Sequence, residues 1–172
     1  MDISLLRRVP LFEVLKDDDL EAIARVTITR SYDKDQVIIL AEEEGDALFI
    51  IADGQVKVSI VSEDGREVIL SLLGEGAVFG ELSLLDGKPR SANVVATQDT
   101  ELYMVRRADF LQLIYTVPQI AVGLLAELAA RLRKTDRKIE GLALLDVTSR
   151  ISETLLQLAD EQGSETTFGV SL

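Results

Sequence analysis

The chain has 172 residues, 47% of them apolar and 28% charged, with no cysteine, no histidine and a formal net charge of −12. That length and apolar content suit one domain with its own core plus a helical appendage, and they exclude a wholly disordered chain. The missing residue types exclude disulfides, thiolate and imidazole metal sites, haem ligation through Cys or His, and a Ser-His-Asp triad.

The remaining metal chemistry would be carboxylate-bound Mg²⁺ or Ca²⁺, and the acidic residues lack the spacing of an EF-hand loop. Neither a metal nor a resident cofactor is expected. An acidic surface repels nucleic acid, so these residues alone are poor DNA binders. No segment approaches the roughly 20 apolar residues of a membrane span. Met1–Arg8 lacks the layout of a signal peptide. A cytoplasmic protein without membrane contact is expected.

Residues 3–15 read as a short helical entry, with Pro10 and Phe12 in a turn packed on the core. Residues 17–27 follow as a helix. Asp17, Asp18 and Asp19 favour its start, and Leu20, Ile23, Ala24 and Val26 give it an apolar stripe. From about 29 to 105 the pattern changes to short β-branched runs: Gln36–Leu40, Ala47–Ala52, Gln55–Val61, Glu67–Leu73, Asn93–Ala96 and Glu101–Val105. Glu44-Gly45-Asp46, Asp53-Gly54, Glu63-Asp64-Gly65, Gly74-Glu75-Gly76 and Asp86-Gly87 punctuate them. Strands at this spacing predict an antiparallel β-roll or jelly roll, a mainly β fold with helices at both ends. Asp53-Gly54 carries the residues of a tight hairpin turn.

After Val105 the chain returns to helix. Arg107–Val117 ends ahead of Pro118, which then opens a long helix reaching Leu145. Asp146 is placed to cap a last helix over Val147–Glu161, and Gly163 to end it. Ser164–Leu172 is polar and then extended, as if entering a further domain. In the long helix, Ala121, Leu125, Leu128, Leu132, Thr135, Ile139 and Leu142 alternate spacings of four and three. That seam predicts a parallel helix pair across a two-fold axis, although a helix lying on its own domain shares part of the pattern. Its interface would use Leu125, Leu128, Leu132, Thr135, Ile139 and Leu142. The expected division by pattern is a β domain with flanking helices over 1–117, a dimerisation helix over 118–145, and a separate C-terminal segment over 146–172.

One segment carries chemistry: Phe79-Gly80-Glu81-Leu82-Ser83-Leu84-Leu85-Asp86-Gly87-Lys88-Pro89-Arg90-Ser91-Ala92. Gly80 permits close backbone approach to a ligand. Leu82–Leu85 can form a single helical turn whose unpaired N–H groups face an anion. Arg90 offers a planar fork for phosphate oxygens, Ser91 a hydroxyl, and Glu81 an acceptor for sugar hydroxyls. The same residues would also permit a Glu81–Arg90 pair in a surface loop, which contributes little.

The segment resembles the phosphate-binding cassette of the cyclic-nucleotide-binding domain superfamily, whose pattern is Phe-Gly-Glu, a small or apolar run, then Pro-Arg-Ser/Ala-Ala. The flanks extend the resemblance. Phe49-Ile50-Ile51-Ala52-Asp53-Gly54-Gln55-Val56 is similar to the hairpin ahead of the cassette. Leu142-Ala143-Leu144-Leu145-Asp146-Val147-Thr148-Ser149-Arg150-Ile151 resembles the hinge of bacterial regulators of the cyclic-AMP receptor protein and fumarate-nitrate regulator superfamily.

The resemblance implies a sensor that binds cyclic AMP, with cyclic GMP as the competitor, and that is not an enzyme. It implies that 1–117 is the cyclic-nucleotide-binding sensor domain and 146–172 the hinge and start of a truncated winged helix-turn-helix domain, and a homodimer that reaches DNA only through a C-terminal domain not in this chain. Arg90 and Ser91 would hold the cyclic phosphate, Glu81 the ribose 2′-hydroxyl, Gly80 the close approach, and Leu82 and Ser83 the cassette turn. Thr135 would meet the adenine edge. The following position is usually a small hydroxyl residue supplied by the partner subunit, and here it is Asp136. Two rival readings remain: an interaction module that kept the fold and lost the ligand, and the regulatory part of a kinase or channel. Phosphodiesterase activity finds no metal-ligand set to support it.

Overall fold

The computed structural model of the chain describes residues 3–144, 152, 155, 164–166 and 169–171. The chain divides into two compact units, Met1–Glu127 and Leu128–Leu172.

The first unit opens with helix α1 (Ile3–Arg7) and a 3₁₀ turn, Pro10–Phe12, which bury Leu6, Leu11 and Phe12. Helix α2 (Asp17–Val26) starts on its three aspartates, and the Asp19 carboxylate accepts the Lys16 backbone N–H at 3.3 Å. Negative side chains in the first turn complement the helix dipole. The helix buries Leu20 and Ile23 and ends where Thr27 becomes extended, with the Thr27 hydroxyl donating to the Ile23 carbonyl at 2.8 Å.

Eight strands follow, and six match the expected runs to within two residues. They are β1 (Thr27–Tyr32), β2 (Val37–Ile39), β3 (Ala47–Asp53), β4 (Val56–Val61), β5 (Glu67–Leu73), β6 (Val78–Phe79), β7 (Asn93–Ala96) and β8 (Thr100–Arg106). The sequence reading did not anticipate β1 and β6. Polar, partly exposed β1 begins at the residue where α2 ends, and β6 has two residues. Helix α3 (Glu81–Asp86) lies between β6 and β7, and α4 (Arg107–Thr116) and α5 (Gln119–Leu144) follow β8.

The strands form two antiparallel four-stranded sheets, ordered β1-β8-β3-β6 and β2-β7-β4-β5. The roll is the expected fold class, with helices at its N-terminal end and a long C-terminal helix. Ile39, Ala47, Phe49, Ile51, Val56, Phe79, Val94 and Leu102 fill the space between the sheets. Side chains alternate across a strand, so Leu48 and Ile50 of β3 face the other way, where α3 and α4 pack on it. Both faces of β3 are therefore buried, and its sequence is a continuous apolar run rather than an alternating one.

The Asp53-Gly54 turn does not close a hairpin, contrary to the sequence reading. Both edges of β3 are occupied, by β8 and β6, so β4 has no place beside it. The turn instead carries the chain from one sheet to the other. Thr97 and Thr100 hold it there: the Gln55 N–H donates to the Thr100 hydroxyl at 3.3 Å, and the Thr97 N–H donates to the Gln55 carbonyl at 2.9 Å. The hairpin in this part of the chain is β4–β5, closed through Ser62, Gly65 and Arg66.

In the second unit, β9 (Ser164–Thr166) pairs antiparallel with β10 (Gly169–Ser171). The expected cap at Asp146, most of the helix over Val147–Glu161, its end at Gly163 and the hinge from Leu145 lie outside the described residues. Ser152 and Leu155 are described and helical. Among the described residues no single helix is long and apolar enough to cross a membrane.

Gly54 tests the sheet-crossing turn. Its φ is +96°, and a Cβ there would lie 2.7 Å from the Asp99 carbonyl oxygen and the Thr100 Cα. Gly54→Ala should cost about 1–3 kcal/mol, the range for a side chain forced into such a conformation. Urea unfolding should show a lower midpoint at unchanged slope.

Candidate anion-binding site

The site is built around α3 and the loop that follows it. Gly80 takes the left-handed conformation, φ +79° and ψ +7°, which lets β6 turn directly into the helix. Gly87, also left-handed, ends it, and its N–H donates to the Ser83 carbonyl at 3.1 Å. Glu81, Ser83 and Leu84 of this short helix are buried, whereas Leu82 and Leu85 are exposed.

Arg90 lies under this helix, only 7% exposed. Its Nη1 donates to the Gly80 carbonyl at 2.8 Å and to the Ser83 hydroxyl at 2.9 Å, and its Nη2 donates to the Ala47 carbonyl at 2.8 Å. A guanidinium has five N–H donors. The Nε–H and one Nη2 hydrogen, on the two nitrogens of one edge, carry no acceptor among the described residues. The backbone is pinned as firmly: the Arg90 N–H donates to the Glu43 carbonyl at 2.8 Å, and the Glu42 N–H donates to the Arg90 carbonyl at 2.9 Å. The Phe49 ring, stacked on Phe79 at 5.2 Å between centroids, has the Arg90 Cζ 6.0 Å from its centre.

Two glycines make room for the group. A Cβ on Gly80 would come within 2.7 Å of Nη1, and one on Gly45 would overlap the guanidinium and come within 2.6 Å of the Ser83 hydroxyl. The close approach that Gly80 permits here is thus to Arg90. Burial pushes the Arg90 pKa down, and the Asp46 and Glu81 carboxylates push it back up. An arginine keeps its charge throughout the physiological range, so this is a fixed, buried positive charge. Arg107 ties the site to the helices beyond. Its Nε donates to the Leu84 carbonyl at 3.0 Å, and its backbone N–H donates to the Asp46 carbonyl at 2.6 Å.

Gly80, Glu81, Leu82, Ser83, Arg90 and Ser91 are therefore gathered on one short segment of the first unit, with Ser91 exposed beside buried Arg90. Thr135 and Asp136 belong to the second unit, on α5, and both are exposed. The Thr135 hydroxyl donates to the Arg131 carbonyl of its own helix at 3.0 Å. The sequence reading missed Gly45, Ala47 and Arg107. Gly45 was visible as turn punctuation, but nothing in the sequence says that its missing side chain makes space for a residue 45 positions later.

The sequence profile described as the cyclic nucleotide-binding domain matches residues 29–116. The chain belongs to that family. It is 38% identical over 149 residues to the cyclic AMP receptor protein of Thermus thermophilus, covering 87% of this chain and 69% of that one. The crystal structure of the Thermus thermophilus catabolite activator protein superposes with a TM-score of 0.72 at 37% identity, covering 89% of this chain and 72% of that one. The c-di-GMP responsive global regulator CLP of Xanthomonas campestris superposes with a TM-score of 0.76 at 27% identity, covering 86% and 74%. Within the family, the chain is a member of the cyclic-AMP receptor protein type.

The donor arrangement fixes what Arg90 does without ligand. Arg90→Ala would take a donor from the Gly80 and Ala47 carbonyls and from the Ser83 hydroxyl, leaving Gly80 only the long 3.5 Å bond from Ser83. A buried acceptor that loses its partner costs about 1–3 kcal/mol. The ligand-free variant should stay folded and unfold at lower urea, with circular dichroism as the readout.

Proposed function

We propose that the chain is the ligand-sensing part of a cyclic-nucleotide-responsive transcription regulator, and that its effector is cyclic AMP. One observation carries the reading: a buried, charged arginine held on three acceptors with an edge of two donors uncommitted, next to a buried glutamate and an exposed serine. An edge of that kind matches two oxygens of one phosphate. Glu81, 4% exposed, stands as the acceptor for a sugar hydroxyl, and Ser91 adds a donor to the phosphate. Each role is the one the family's cassette assigns to these positions. No bond is made or broken, and the protein works by binding, in the cytoplasm.

Thr135 is proposed to read the base. A hydroxyl donates and accepts, which suits the amino group and ring nitrogen of adenine. Asp136 favours a second reading. A carboxylate accepts two hydrogen bonds, and guanine offers two adjacent donors, so a guanine nucleotide is the competing ligand. Calorimetric titration with cyclic AMP, cyclic GMP and cyclic di-GMP tests both. Cyclic AMP should bind most tightly, Arg90→Ala should lose more than about 2 kcal/mol of that binding, and Thr135→Ala should narrow the margin over cyclic GMP. Cyclic GMP binding at least as tightly as cyclic AMP to the unaltered chain would reject adenine and make Asp136 the specificity residue.

The signal is proposed to pass through a parallel pair of α5 helices (Gln119–Leu144) to a DNA-binding domain beyond this chain. Ile120 and Leu124, off the seam, are 0% and 4% exposed in the first unit, whereas the seam residues Leu125, Leu132 and Ile139 are 66%, 62% and 59% exposed. Apolar residues seven apart and turned to solvent form the stripe a partner helix covers. In sedimentation at tens of micromolar, a concentration that catches ordinary dimers, the chain should be a dimer and Leu132→Glu a monomer.

A further inference from the structure

We propose that Ser83 is a positioning residue for the phosphate subsite, acting through Arg90 on which oxygen of the ligand is recognised; this rests on the cyclic-nucleotide reading. The Ser83 hydroxyl is 4% exposed and accepts from Arg90 Nη1 at 2.9 Å, sharing that nitrogen with the Gly80 carbonyl. Two acceptors on Nη1 and one on Nη2 fix the guanidinium in its own plane, because rotation about the Nε–Cζ bond is already barred and the remaining freedom is a swing of the whole group. The Gly45 backbone closes one side of the pair, leaving no room for a Cβ beside the guanidinium or the Ser83 hydroxyl.

The direction of the Nε–Nη2 edge is thereby set before any ligand arrives. A cyclic phosphodiester has two exocyclic oxygens, related by the chirality of their positions around phosphorus. An edge of fixed direction distinguishes them, and a loosely held one does not. Ser83 sits between the two cassette anchors, Glu81 and Arg90, and touches the arginine from the helix side. Alanine at this position keeps the Cβ and removes the hydroxyl, which accepts from Nη1 and also donates weakly to the Gly80 carbonyl at 3.5 Å. Nη1 then retains the Gly80 carbonyl alone, and the group can swing.

The experiment uses the two phosphorothioate diastereomers of cyclic AMP, each with sulfur in place of one exocyclic oxygen, titrated calorimetrically into the unaltered chain and Ser83→Ala. Ser83→Gly serves as a second variant, and thermal melting confirms that each is folded. The unaltered chain should bind one diastereomer more tightly than the other. Both variants should shrink that ratio by roughly threefold or more, the scale of one hydrogen bond, whatever happens to cyclic AMP affinity itself. A role confined to stability would weaken both diastereomers alike. An unchanged ratio in folded Ser83→Ala overturns the assignment of Ser83 alone. Failure of the unaltered chain to bind cyclic AMP or either diastereomer overturns the cyclic-nucleotide reading, and this one with it.

Discussion

The arrangement of the first unit depends on where the Arg90 guanidinium is buried. Taking an arginine out of water is costly unless its donors are met. Here three acceptors come from three places in the chain: Gly80 at the start of the cassette, Ser83 one turn on, and Ala47 at the start of β3. Meeting all three requires β3 and β6 to be neighbours, which they are, with Phe49 opposite Phe79 in the register. It also requires the glycines at 45 and 80. The charge is partly balanced by Asp46 and Glu81, which oppose the effect of burial on its pKa. Sheet order, turn chemistry and electrostatics therefore converge on one side chain.

The same requirement explains how the site connects to the rest of the fold. The loop around Glu42–Asp46 bonds to the Arg90 backbone on one side and to the Arg107 backbone on the other. Arg107 begins α4 and also holds the Leu84 carbonyl of α3. A change in the cassette would therefore reach the start of α4 through hydrogen bonds and not through soft apolar contacts alone. Beyond α4, Pro118 separates two helices, and the first turns of α5 are fastened to the same unit. Gly123 lies against the Leu11 carbonyl so closely that a Cβ would come within 2.4 Å of its oxygen, and Ile120 and Leu124 are buried.

The fold class and most strands were legible because they rest on local periodicity, and the cassette because it is a compact motif in which each residue type has a chemical reason. The hairpin at Asp53-Gly54 was misread for a non-local reason. The turn residues are right for a hairpin, but whether two strands pair depends on whether an edge is free, and β8, nearly fifty residues later in the chain, takes it. Gly45 was opaque on the same ground, since a glycine's neighbours are set by tertiary structure. The long helix shows both sides. Its heptad spacing was readable, but the division into a buried face at Ile120 and Leu124 and an exposed seam at Leu125, Leu132 and Ile139 needed the packing. β1 was hidden because a strand half exposed and rich in Thr, Arg and Ser lacks the apolar alternation that marks its neighbours.

Charge leaves a last constraint. The chain carries a net −12, and Glu42, Glu43, Glu44 and Asp46 lie on the loop that pins Arg90. At physiological ionic strength charges are screened over about 8 Å, so the carboxylates of this loop, and not the net charge of the whole chain, dominate what an approaching anion meets. Attraction would be strongest at contact, where a buried guanidinium with two donors that meet no acceptor among the described residues acts at short range, because the interaction grows as the distance and the local dielectric fall. Such a site gains little from steering and much from fit. On the proposed reading it would discriminate among anions by the placement of their oxygens and would be a poor general binder of phosphate. That is the selectivity the proposed sensing of one small nucleotide would need, in a chain with a net charge of −12.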